Sequence, residues 1–179
     1  MEDKKALLNL ILDRRSCRSY QPQLPERSLL TAVVEAGRYA PTAMNRQLTR
    51  FTVLTDPARL ARLRDTVSRR LEGFADRDCT YAAPALVLLT GRKDNPCALQ
   101  DASCAMENMM LAAAALGLGS CWINQPFHLR EDAQLRALLT DLDIPEDEMP
   151  CCALALGLPA APLFPGRRPR TGNPVVWLG

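Results

Sequence analysis

Residues 98–116 read ALQDASCAMENMMLAAAAL, a helix-length stretch that is apolar nearly all round and is stopped by Gly117. A helix without a polar face must lie in the middle of a domain or against a partner. Its most apolar part, residues 109–118, is too short to span a bilayer. Two other segments carry the same constraint. Residues 85–90 (ALVLLT) and 151–156 (CCALAL) show no polar alternation, so each reads as a strand buried on both faces. Helices must therefore cover both sides of a sheet, and one of those helices is almost wholly buried.

The remaining periodicity fits that plan. Residues 4–12 predict a helix with Leu7, Leu8, Ile11 and Leu12 as its apolar stripe. A second helix starts at Pro25 and ends by Tyr39 or Ala40, because Pro41 disfavours helical geometry before it. Residues 51–55 form a short strand. Asp56 and Pro57 then cap a third helix that turns Leu60, Leu63, Val67 and Leu71 to one face. Residues 120–124 predict another strand and 130–139 another helix. Helices alternating with short buried strands make an α/β or α+β layered domain. After a proline-rich tail, PVVWL at 174–178 is strand-like; it either folds back on its own sheet or adds to that of a neighbour. With the apolar helix also short of cover, dimerisation is the expectation.

Composition narrows the function. At 179 residues, with 47% apolar and 23% charged residues, the chain is one globular domain spanning 1–179. Lysine plus arginine is 22 against 20 acidic residues, a net charge of +2, too small for a nucleic-acid partner. The sole histidine, His128, excludes multi-histidine metal sites, so no metal is expected. The seven cysteines include no C-x-x-C pair, and most sit in apolar runs. They read as reduced thiols in a cytoplasmic protein without a secretory signal or membrane partner.

Three segments carry recognisable chemistry. Residues 14–20, RRSCRSY, place guanidinium groups and hydroxyls at a helix-to-loop junction, either an anion cradle or a basic helix terminus. Residues 40–47, APTAMNRQ, place Thr42, Asn45 and Gln47 in a proline-fixed loop. That loop can bond the edge of a flat heterocycle or satisfy itself. Residues 116–124, LGLGSCWIN, combine two glycines with the flat face of Trp122; because the glycines follow a helix, this is no Rossmann fingerprint.

Taken together and in this order, with DASCAMENMMLAAAALGLGSCWI and GLPAAPLFPGRRPR, these segments resemble the nitroreductase family of FMN-dependent oxidoreductases over residues 11–170. The resemblance implies an α+β three-layer sandwich: a central mixed, mainly antiparallel sheet flanked by helices, in an intimate homodimer. It implies FMN at the subunit interface. Arg14, Arg15, Ser16 and Arg18 would hold phosphate and ribityl oxygens, with Arg167, Arg168 or Arg170 closing the phosphate site. Pro41, Thr42, Ala43, Asn45 and Gln47 would line the ring, from the other subunit. Trp122 and Ile123 would face the flavin. The 159–179 extension would pack on the partner. The implied activity is electron transfer from NAD(P)H through FMN to a nitroaromatic, quinone or similar small acceptor. The alternatives are a flavin-binding or sensing protein without efficient turnover, or a specialised flavin dehydrogenase or dehalogenase. No protein acid–base residue is needed, because the cofactor carries the chemistry. Leu48-Thr49 and Asn124-Gln125 depart from the family pattern and reshape the pocket.

Overall fold

The computed structural model describes residues 2–75, 77–163, 167 and 169–179. Its sheet has four strands: β1 (Arg50–Leu54), β2 (Ala85–Arg92), β3 (Gly119–Ile123) and β4 (Glu148–Gly157). Their spatial order is β1-β2-β4-β3, and every neighbouring pair is antiparallel. Among the described residues the one parallel pairing is an isolated bridge, Ser16 to Ser120.

Six helices cover this sheet: α1 (Glu2–Asp13), α2 (Arg27–Arg38), α3 (Pro57–Arg70), α4 (Ala98–Ala115), α5 (Gln125–His128) and α6 (Ala133–Asp141). The strand period of two divides the core. Ala85, Val87 and Leu89 of β2, with Leu154 and Leu156 of β4, face α2 and α4. Leu86, Leu88, Ala153 and Ala155 face α3 and α6. The result is three layers, as the doubly buried strands required.

Local chemistry explains the helices. Asp56 accepts from the Arg59 amide at 2.9 Å and Pro57 opens α3, so its cap is built from the residues that announce it. Asp132 caps α6 by accepting from the Gln134 and Leu135 amides, and it also takes Arg70 at the end of α3 at 2.8 Å. Alanines 98, 102, 105 and 113 let α4 lie close over the sheet. Gly37 lets α2 approach α4: a Cβ there would lie 2.8 Å from Met109 Cγ.

The ladder between β2 and β4 shifts between Leu89 and Thr90, which pair with Cys152 and Pro150 and leave Cys151 unopposed. A proline has no amide to give a ladder, and a bulge accommodates it. The same bulge turns the adjacent thiols of Cys151 and Cys152 to one layer.

Among the described residues, the stripe of α1 and the C-terminal tail leave apolar surface uncovered. The α1 stripe is open, with Leu8 59% exposed. Residues 174–178 form no strand pairing within the described chain, and Trp177 is 91% exposed. The tail therefore does not fold back onto its own sheet.

Candidate functional site

The segment after α1 is laid along the free edge of β3. The Cys17 amide donates to Ser120 O at 2.8 Å, and the Tyr20 hydroxyl returns to Cys17 O at 2.8 Å. Gly119 makes the approach possible: a Cβ there would meet Cys17 Sγ at 2.6 Å. Cys17 is buried under the segment while Ser16 and Arg18 stay exposed.

From this base the three guanidinium groups diverge. Arg14 reaches α4, where its Nε lies 3.7 Å from Glu107 Oε1, and that Nε is buried without a hydrogen-bond acceptor. Arg15 turns back and donates to Leu12 O at 2.9 Å and Arg14 O at 2.7 Å, closing the C-terminus of α1. Arg18 lies over the Tyr81 ring, 5.9 Å from its centroid. Arg167 is held beside the cradle by Asp13 Oδ1 at 2.7 Å and Asn9 Oδ1 at 2.6 Å. Its hydrogen bond, with its charge, holds the Asp13 carboxyl below the usual carboxylate range. Arg170 is exposed, and Arg168 lies outside the described residues.

The second segment is a tight loop after α2. Met44, Asn45 and Gln47 all have φ of 53–54°, left-handed geometry in residues that carry a Cβ. Thr42 accepts from the Gln47 amide at 3.0 Å, and Gln47 Nε2 donates to Asn45 Oδ1 at 3.0 Å. Thr42, Asn45, Gln47 and Thr49 line a cleft of about 510 Å³ with Tyr39 and Phe51. Pro41 and Ala43 shape the loop, and the Ala43 amide donates to Asp101 of α4 at 2.9 Å. Asp101 carries no sequence signal of that role.

At the end of β3, alternation separates two residues expected to act together. Trp122 packs with the α2/α4 layer, whereas Ile123 is buried in the α3/α6 layer. Only the backbone of Ile123 can meet a ligand that touches the Trp122 side chain. Trp122 Nε1 donates to Asn124 Oδ1 at 3.3 Å, and Asn124 Nδ2 lies 3.0 Å from His128 Nε2.

The arginine cradle and the loop contact α4 at different places. Glu107 and Asp101 are six residues apart, about 9 Å of rise and about 240° of rotation. In one copy of the chain the cradle and the loop therefore lie on different flanks of the same helix.

A family model for the nitroreductase family matches residues 11–158. The chain belongs to the nitroreductase family. A solved nitroreductase with bound FMN from Bacteroides fragilis is 32% identical, with a TM-score of 0.87 over 95% of this chain and 97% of that one. A relative from Archaeoglobus fulgidus, provisionally named an NADH dehydrogenase/NAD(P)H nitroreductase, is 30% identical over 85% of this chain and 84% of its own length. An iodotyrosine deiodinase bound to FMN and 3-iodo-L-tyrosine has the same fold at 22% identity, with a TM-score of 0.77 over 97% and 99% of the two chains.

In this nitroreductase-family chain two buried thiols stand at the cradle, Cys17 within the segment and Cys121 on the adjoining strand. Burial raises the Cys121 thiol above its ordinary range, against the pull of Arg18. Leu48 and Thr49 follow Gln47 with no aromatic wall, and Thr49 leaves that side of the cleft polar.

Proposed function

We propose that the chain is an FMN-dependent oxidoreductase that moves electrons from NAD(P)H to a nitroaromatic, quinone or similar small acceptor. The observation that carries this reading is Arg14. Its buried Nε lacks an acceptor on a cradle that also offers the Ser16 hydroxyl, and a phosphate oxygen would satisfy it. Bound FMN would supply the hydride chemistry. The chain's own residues bind and orient. Arg14, Arg15, Ser16 and Arg18 take phosphate and ribityl oxygens, with exposed Arg170 closing over them and Arg167 fixing the tail to α1. Pro41, Thr42, Ala43, Asn45 and Gln47 of a second copy meet the ring edge. Trp122 and the Ile123 backbone cover its face.

A second copy also resolves the uncovered surfaces. β1 is an edge strand with Val53 42% exposed, beside a cleft of about 410 Å³ lined by Leu24, Leu30 and Val34. Residues 174–178 of a partner fit that edge as an added strand. Truncation after Asn173 is expected to convert a dimer to monomer in light scattering; a wild-type monomer, or a truncated protein that stays dimeric, overturns the arrangement. The described cysteines are all unpaired, which supports a reducing, cytoplasmic setting. No helix among the described residues is long and apolar enough to cross a membrane.

The first test is the visible spectrum of the purified protein, with heat release and identification of the chromophore. Stoichiometric FMN supports the reading, and a colourless protein that takes up no added FMN overturns it. Anaerobic bleaching by NADH or NADPH at a catalytic rate then separates an enzyme from a sensor. Arg14→Ala is expected to weaken FMN roughly ten- to a hundredfold, the worth of one charge-assisted hydrogen bond. Unchanged affinity in that variant would remove Arg14 from the phosphate site.

A further inference from the structure

We propose that Asp101 is a positioning residue: it fixes the left-handed loop that presents Asn45 and Gln47 to the flavin ring. This role rests on the FMN reading above.

Asp101 sits in the first turn of α4 and is only 4% exposed. Among the described residues no lysine or arginine pairs with its carboxylate. It accepts instead from the Ala43 amide at 2.9 Å and from Asn95 Nδ2 at 3.4 Å. A buried carboxylate without a cation is costly, and packing alone would be served as well by an apolar side chain. What the carboxylate adds is a strong, charge-assisted bond to one particular amide.

That amide is placed where it matters. Ala43 opens the short turn, and its partners are otherwise local: Asn45 N to Thr42 O at 2.9 Å, Arg46 N to Ala43 O at 3.2 Å, and Gln47 N to Thr42 Oγ1 at 3.0 Å. Among the described residues, the bond to Asp101 is the one hydrogen bond that joins residues 42–47 to the rest of the fold. Local bonds keep the loop's shape, and the bond to Asp101 ties that shape to α4. Because Gln47 Nε2 is tied to Asn45 Oδ1, both side chains move with the anchor. On its other side Asp101 leans on Asn95, whose Oδ1 accepts from the Cys97 amide at 3.1 Å. That longer contact braces the start of α4, and the bond that reaches the loop is the one to Ala43.

The test compares four variants of the full chain by FMN titration, flavin absorption and thermal midpoint, with amide exchange of residues 42–47 measured without FMN. Asp101→Ala is expected to weaken FMN about tenfold or more, to shift the bound flavin's absorption, and to speed exchange in the loop. Ala43→Pro removes the same donor from the loop side, at a turn position that accepts proline, and should match that loss even if Asp101→Ala folds poorly. Asp101→Asn keeps an acceptor for Ala43 and should bind within about threefold of wild type. Asn95→Ala breaks the other contact and should lower the midpoint with FMN affinity kept. Affinity, spectrum and loop exchange unchanged in Asp101→Ala and Ala43→Pro overturn the role. So does an equal FMN loss in Asn95→Ala, which would mark general destabilisation. A wild-type protein that takes up no FMN overturns the flavin reading and this role with it, whereas wild-type affinity retained in the anchor variants overturns this role alone.

Discussion

Replacing Gly119 with valine is expected to destabilise the chain by about 3 kcal/mol and to loosen the arginine cradle from the sheet. An added Cβ would stand 2.6 Å from Cys17 Sγ, 2.8 Å from Cys17 Cβ and 3.3 Å from the Tyr20 ring. Cys17 cannot yield cheaply, since it is 2% exposed and its amide donates to Ser120 O at 2.8 Å. Something must therefore shift, and the segment carrying Arg14, Arg15 and Ser16 is the more weakly held side. For a chain of this length the thermal midpoint should fall by about 6–12 °C. Cys17→Gly in the Gly119→Val background removes both close contacts and should recover part of the loss. A Gly119→Val protein that melts with wild type, or a double variant no better than the single, would refute the close-approach argument.

The fold was legible wherever side-chain pattern alone decides it. The polar-free runs at 85–90 and 151–156 required cover on both faces, and the Asp56-Pro57 pair marks the start of α3. Strand order was not legible, because a doubly buried strand has no polar face to orient it. Nor was the bulge at Cys151, which is set by how Pro150 meets β2 across the ladder. Helix α5 is a single turn, too short for periodicity to declare itself. The tail reads as a strand, yet within the described chain it pairs with neither edge of the sheet.

The site was legible by residue type and less so by geometry. Arginines and the Ser16 hydroxyl at 14–18 and amides at 45 and 47 signal hydrogen-bonding chemistry wherever they fold. Arg167 looks equally suited to an anion, yet Asp13 and Asn9 engage it first. Ile123 adjoins Trp122 in the motif, yet strand alternation places their side chains on opposite faces. Asp101 gives no signal in the sequence, because a lone carboxylate near a helix N-terminus ordinarily reads as solvated and dipole-favoured. Only its burial and its Ala43 contact reveal the anchor.

The same buried thiols that fill the core should make the chain unusually sensitive to alkali. Burial raises Cys79 from 9.0 to about 12 and Cys151 from 9.0 to about 11, with Asp78 and Glu148 respectively adding to the rise, and it raises Cys152 as well. The folded chain thus holds these thiols neutral at a pH where the unfolded chain releases their protons. With the folded value above the unfolded one, the stabilisation is complete below about pH 9 and is lost as pH climbs toward the folded values. At pH 10 each thiol should cost about 1.4 kcal/mol relative to neutral pH, and the three together about 4 kcal/mol. That is comparable with the whole stability of a marginal domain. Urea unfolding at pH 7.5 and pH 10, under a phosphine reductant to prevent oxidation, reads the difference directly. Cys79→Ala and Cys152→Ala should each lower neutral-pH stability through lost packing, yet each should reduce the drop between the two pH values by about 1.4 kcal/mol. The comparison of slopes isolates the thiols from every group the variants share, Tyr20 included, whose phenol burial also pushes up. A pH 10 loss of equal size in wild type and in both variants would show that other groups carry it.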